Sequence, residues 1–168
     1  MNQAEKLMFG ATPQPLFSIS TDSHLSIERF LDSLIADTYR LFVNTSGIHW
    51  NVSGPLFNAI REISKQQASE LFDAVGAIAE RKRSLGGLIP HQLDKLPALS
   101  ALDDVDNSDG VEMQITKLAE LHEVLVMNIK DRLSNQSGLH LDPKTEAVLT
   151  ERVGAHEQHA WMLRAITE

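Results

Sequence analysis

The chain contains no cysteine, and that absence removes a disulfide framework, a thiolate zinc site, an iron–sulfur cluster and a thiol nucleophile. It fits a reducing compartment. Positive charge is also scarce: 15 Lys and Arg stand against 23 Asp and Glu, a formal charge of −8 over 168 residues. Coating duplex nucleic acid requires Lys and Arg to neutralise phosphates, so the balance argues against a generally basic binding surface. No stretch approaches the ~20 apolar residues that span a bilayer. The opening segment, MNQAEKLMFGATPQPLFSIS, lacks the basic and uninterrupted apolar regions of a signal peptide. It reads as an irregular tail over 1–20 ahead of a single domain over 21–168, and the expected location is the cytoplasm. Strand-like alternation, an internal repeat, a Gly-rich phosphate loop and a nucleophile motif are missing too, so nucleotide-binding and hydrolase readings have no support.

What remains is helix. Thr21, Asp22 and Ser23 are N-cap residue types, and Ile27, Phe30, Leu31, Leu34, Ile35, Thr38, Leu41 and Phe42 follow at three- and four-residue steps, the mark of one buried helical face. Asn51 to Pro55 is a turn-forming break. A second helix is expected from about Leu56 to Leu85, with Gly86-Gly87 ending it and Gly76 inside it at a cost of ~1 kcal/mol. Residues 88–110 form a long connection with one short helix around Ala98–Leu102. A third helix is expected over roughly 111–134, stopped by Asn135 to Gly138. The fourth opens at Asp142-Pro143, an N-cap followed by Pro at the first helical position, and its stripe is read as Val148, Leu149, Val153, Trp161, Met162 and Ile166. The fold class is therefore all-α, a four-helix bundle. The 88–110 link is long enough to cross a bundle of roughly 30–40 Å, and a single long crossover between helices 2 and 3 is the ferritin-like arrangement.

Chemistry is harder to place. An in-bundle di-iron centre uses two Glu-x-x-His motifs with partner glutamates. The chain has none, so a metal site inside the core is not expected. His156 and His159 share a helical face but fall one residue short of the His-Glu-x-x-His zinc spacing. They read as surface or interface histidines, and His122 and His24 as ordinary helix residues. His91 and His140 fall in connections. Arg81, Lys82 and Arg83 read as a solvated basic group favoured by the C-terminal helix dipole. Taken alone, the His49-Trp50 corner before Gly54-Pro55 is a packed helix end.

Motifs change that reading. His49-Trp50-Asn51-Val52-x-Gly54-Pro55-x-Phe57, then Gln66, Glu70-Leu71 and Ile78-Ala79-Glu80-Arg81-x-Arg83-x-Leu85-Gly86, resemble the Dps family, the "DNA-binding proteins from starved cells" or miniferritins. Thr145-x-x-x-Leu149-x-x-Arg152 and His156-Glu157-x-x-Ala160-Trp161-Met162-Leu163-Arg164 are similar to the family's last helix. The resemblance spans about residues 25–166. It implies a ferritin-like subunit assembled through two-fold and three-fold interfaces into a hollow homododecamer. Such a cage oxidises Fe(II), usually with peroxide, stores the Fe(III) mineral, and protects against oxidative stress.

The resemblance also implies a ferroxidase site shared between two subunits. One supplies His49, a second His at position 61 and an Asp at position 65; the partner supplies an Asp at position 76 and Glu80. This chain keeps His49 and Glu80 but carries Arg61, Lys65 and Gly76. Fe(II) needs imidazole and carboxylate ligands, and a guanidinium cannot ligate. A like-charge contact at ~4 Å adds on the order of 1–4 kcal/mol of repulsion. Ferroxidase activity is therefore expected to be impaired or altered, with Arg61 or Lys65 pairing with Glu80 across the interface. A displaced iron site would draw on Glu62 with His49 and Glu80. The alternative is a catalytically inactive cage or scaffold. Family pores for iron lie near the start of the last helix, where Asp142 and Glu146 stand, although both also suit a helix start. Tight DNA binding is not expected, because the basic tail used by DNA-coating members is missing.

Overall fold

The computed structural model describes residues 21–92, 94–134 and 141–167, with side chains from Leu25 onward. The expected tail over 1–20, the stop at 135–138, His140 and the His24 side chain lie outside what is described. The described residues form α1 (Thr21–Asn51), α2 (Phe57–Ser84), the short α3 (Leu96–Leu99), α4 (Val111–Ser134) and α5 (Pro143–Thr167). The bounds expected for the four long helices hold to within a few residues. The short crossover helix lies two to three residues earlier than expected.

Cross-helix contacts fix the directions. His49 at the end of α1 meets Arg61 and Ser64 near the start of α2, and Lys82 near the end of α2 pairs with Asp32 near the start of α1. These two helices are therefore antiparallel, joined through Gly54, whose φ of 94° suits glycine. Glu123–Arg164 and Lys130–Glu157 make α4 and α5 antiparallel. Arg81–Asp142 and Glu70–Arg152 do the same for α2 and α5. It follows that α2 and α4 run parallel, so the chain between them must travel the bundle's length. It does so along α1: Asp37 Oδ1 accepts from Ser100 Oγ and Ala101 N, both at 2.7 Å. One turn or two further on, Asn44 Oδ1 accepts from Val105 N at 3.1 Å. Buried Leu102 and Val105 press the same segment onto the core.

That core is one continuous cluster drawn from all four long helices. Each wholly buried Leu or Ile contributes about 1.5–3 kcal/mol, so the single Gly76 inside α2 is easily outweighed. The inner face of α2 follows the sequence stripe, and Gln67 joins Ile60, Leu71, Ala74 and Ile78 in it. α5 departs from expectation. Trp161, placed in the apolar stripe, is 69% exposed. The buried positions are instead Thr145, Leu149, Arg152, Val153, His156, His159, Ala160 and Leu163.

Candidate functional site

The His49 corner is built by the α1–α2 turn. Val52 N reaches back to Ile48 O at 3.0 Å, which carries the last turn of α1 past His49 and buries that imidazole. Its Nδ1 lies 3.0 Å from the Arg61 carbonyl oxygen. A carbonyl only accepts, so Nδ1 carries a proton, and in the neutral ring Nε2 is the nitrogen with the lone pair. A histidine held in this way is oriented for coordination through the other nitrogen. Trp50 packs edge-on against it, with ring centroids 4.8 Å apart. The Arg61 guanidinium lies over two rings, 5.7 Å from the Trp50 centroid and 5.5 Å from that of Phe57. Arg61 is thus anchored by cation–π contacts at the position where the resemblance calls for a ligand.

Glu62, Lys65 and Glu80 are exposed, and among the described residues none of the three makes an ion pair. Glu80 lies nineteen positions along α2 from Arg61, about 28 Å at 1.5 Å per residue. His49 and Glu80 therefore cannot meet within one chain. Gly76 is open: an added Cβ would find nothing within 4 Å.

The acidic and basic groups near the start of α5 are engaged with one another. Asp142 Oδ1 accepts from Lys144 N at 3.0 Å and Thr145 N at 3.1 Å, as an N-cap does. Its Oδ2 accepts from Arg81 at 2.8 Å and Thr145 Oγ1 at 2.5 Å. Burial pushes the Asp142 carboxyl upward, but the Thr145 hydrogen bonds and the Arg81 charge prevail and hold it below the usual carboxylate range. The Asp142 carboxylate is thus occupied within the subunit, whereas Glu146 is exposed. Arg81 and Lys82 are buried and paired. Reading them as part of a solvated basic face is wrong; only Arg83 is exposed.

The histidines of α4 and α5 depart furthest from expectation. His122 and His156 are 0% exposed and His159 is 7% exposed, so they are neither surface nor interface residues of the subunit. They gather in the core with one nitrogen from each lying within 4.8 Å of the others. His122 Nδ1 and His156 Nδ1 are 2.9 Å apart. His159 Nε2 is 3.7 Å from Glu70 Oε2, and Glu70 is held by Arg152 at 2.5 Å. Burial, then the neighbouring imidazoles, keep His122 well below the usual imidazole range. Burial, His159 and Arg152 lower His156 to about 3. Burial lowers His159 as well, with Glu70 opposing and Arg152 adding to it. All three are neutral imidazoles near pH 7, the form that binds metals. A sequence signal for them exists. His122 falls at the inward spacing of Leu118, Leu125 and Ile129, and His156 and His159 fall at that of Leu149, Arg152 and Leu163. The missing Glu-x-x-His motifs hid it.

Residues 28–168 match the profile of the ferritin family, described as a ferritin-like domain. An uncharacterized low temperature-induced protein of Nostoc sp. is 29% identical, with the alignment covering 93% of this chain and 88% of that protein. DNA protection during starvation protein 2 of Bacillus anthracis is 25% identical over 80% of this chain and 92% of its own. The chain belongs to the ferritin-like family. Among solved structures, Dps from Thermosynechococcus elongatus superposes with a TM-score of 0.82 at 21% identity, covering 90% of this chain and 96% of that one. The likeness extends to the whole Dps-type bundle, crossover included. Within this ferritin-like chain, the His122–His156–His159 cluster is the group of three or more His, Asp or Glu side chains among the described residues that comes within reach of one ion.

Proposed function

We propose that this chain forms a Dps-type cage that binds and sequesters iron and takes part in oxidative-stress protection, with Fe(II) oxidation at its inter-subunit site impaired or altered. The observation that carries the proposal is His49. It is buried at the end of α1 with its proton committed to the Arg61 carbonyl and its Nε2 lone pair free for an ion. Glu80 is exposed about 28 Å away along α2, so the two can join only across a subunit interface. The exposed Trp50 and Phe57 side chains beside this corner, and exposed Phe72 further along α2, support burial against another copy. The starvation-protection names of relatives support the stress role.

The residues present do not fit a dinuclear iron centre. Arg61 puts a fixed positive charge on the ring pair beside His49, Lys65 adds a second cation, and Gly76 supplies no donor. This favours the second reading, a cage without ferroxidase activity in which Arg61 pairs with Glu80 of the partner subunit. Anaerobic Fe(II) titration followed by peroxide addition separates the two. The proposal expects weak Fe(II) binding that His49→Ala removes, and slow oxidation. The triple change Arg61→His, Lys65→Asp and Gly76→Asp, sterically open at position 76, should speed oxidation by about tenfold or more, ~1.4 kcal/mol off the barrier. Rapid saturable oxidation by the unmodified protein would refute the impairment, and absence of any His49-dependent iron binding would favour the scaffold.

A further inference from the structure

The core histidines hold a site that the inter-subunit reading does not use. As buried neutral rings they are poorly satisfied. The His122–His156 contact is a single N–H···N bond, because one Nδ1 must donate and the other accept. His122 Nε2, His156 Nε2 and His159 Nδ1 are left without a hydrogen-bond partner among the described residues, as is Glu70 Oε2. Unmade hydrogen bonds in a buried setting cost about 1–3 kcal/mol each, so a purely structural triad of this composition works against the fold that contains it. An ion that accepts nitrogen lone pairs would give His159 Nδ1 a partner and hold the other two rings through the Nδ1 atoms that already face each other.

We propose that His122, His156 and His159 form a tri-imidazole site for a divalent transition-metal ion of the zinc and cobalt class, inside the subunit and separate from the His49 corner. Two of the ligand atoms are already close to the required spacing. Nitrogens on a tetrahedral ion with bonds of ~2.0–2.1 Å lie about 3.3 Å apart, and the two Nδ1 atoms stand at 2.9 Å. The ion takes the place of the bridging proton, which moves to the donor ring's own Nε2, so both rings stay neutral and no proton is lost. One nitrogen of each ring already lies within 4.8 Å of the others, and His159 Nδ1, left without a hydrogen-bond partner while Nε2 faces Glu70, is assigned as the third ligand. Glu70 Oε2 sits behind its other nitrogen at 3.7 Å, beyond hydrogen-bond length but on the side from which a carboxylate orients a metal-bound imidazole. Arg152 fixes Glu70 in turn.

The site also has a way in. A cavity of about 380 Å³ opens beside it, lined by Gln66, Gln67, Glu70, Arg152, His159 and Met162 among others. Glu70 is the carboxylate in that wall, one-third exposed, and His159 forms the boundary between the cavity and the two deeper rings. Three imidazoles without a thiolate suit zinc, cobalt, nickel or copper rather than magnesium or calcium, which prefer oxygen.

Cobalt(II) is the direct probe, because its visible d–d absorption reports tetrahedral coordination. Chelator-treated assembled protein should take up one Co(II) per chain with intense visible bands, and Zn(II) should displace it. His49→Ala should keep these bands and His159→Gln should lose them. Glu70→Gln, a change to a positioning residue, should keep the spectrum and weaken affinity about 10–100-fold. If His159→Gln does not fold, the unmodified protein, His49→Ala and Glu70→Gln decide the matter together. No tetrahedral band in the unmodified protein, a band removed by His49→Ala, or a band surviving in folded His159→Gln would overturn the proposal.

Discussion

A buried histidine that stays neutral ties stability to acidity in a definite direction. In the metal-free chain His122, His156 and His159 all sit below the ordinary imidazole value, His156 at about 3. Unfolding returns each to ~6.5, so below that pH the unfolded chain holds more protons than the folded one. Stability is therefore complete above pH ~6.5 and falls as pH drops from there towards the folded values, by about 1.4 kcal/mol per pH unit for each group. Between pH 7.5 and 5.5, His122 and His156 together should cost about 2–3 kcal/mol. Urea unfolding of chelator-treated protein at the two pH values measures this, and an unchanged midpoint would contradict it. The same residues show where sequence reading stopped. Motif spacing identified His49 and Glu80 because a family pattern surrounds them. It missed His122, His156 and His159 because their grouping depends on how two antiparallel helices are packed, which spacing within one helix does not encode.

At the level of elements, helix bounds were legible because caps, glycines and prolines act locally. Gly54 and Gly86 adopt the positive φ of 94° and 95° at two of the places where the sequence demanded a stop. Which face of α5 turns inward was not legible. Its buried positions carry Thr145, Arg152, His156 and His159, so apolar periodicity is weak there and exposed Trp161 misleads. Polar residues are tolerated on that face because they are largely tied to other helices, most fully at its start. There Arg81 from α2 meets both Asp142 and Thr145 at 2.8 Å. Asp142→Ala removes an N-cap and leaves a buried guanidinium without its counter-charge, so a loss of about 3–5 kcal/mol is expected. Asp142→Asn keeps the cap and should recover about 1 kcal/mol of it. Thermal or urea unfolding of the two variants side by side distinguishes capping from charge pairing. Equal losses would show that capping contributes nothing.

For the whole molecule, charge sets the choice of partners. A chain at −8 gives an acidic shell in any homo-oligomer, and two of the three consecutive basic residues at the end of α2 are spent on internal pairs. What is left has little to neutralise a phosphate backbone. The assembled protein should not retard duplex DNA at ~150 mM salt, and a nanomolar gel shift under those conditions would contradict this. The acidic shell is consistent with cations as cargo, since carboxylate-rich surfaces concentrate them.

The two tryptophans add an optical consequence. Trp50 and Trp161 are 71% and 69% exposed, one on the α1–α2 side and the other beside Met127 and Arg164 on the α4–α5 side. Neither indole leaves a dry core when the subunit unfolds. The emission maximum of an isolated subunit should hardly move during unfolding, while burial of either ring against a neighbouring copy shifts it to the blue. Replacing one tryptophan at a time by phenylalanine would turn the intrinsic fluorescence into a separate colour readout for each side of the bundle.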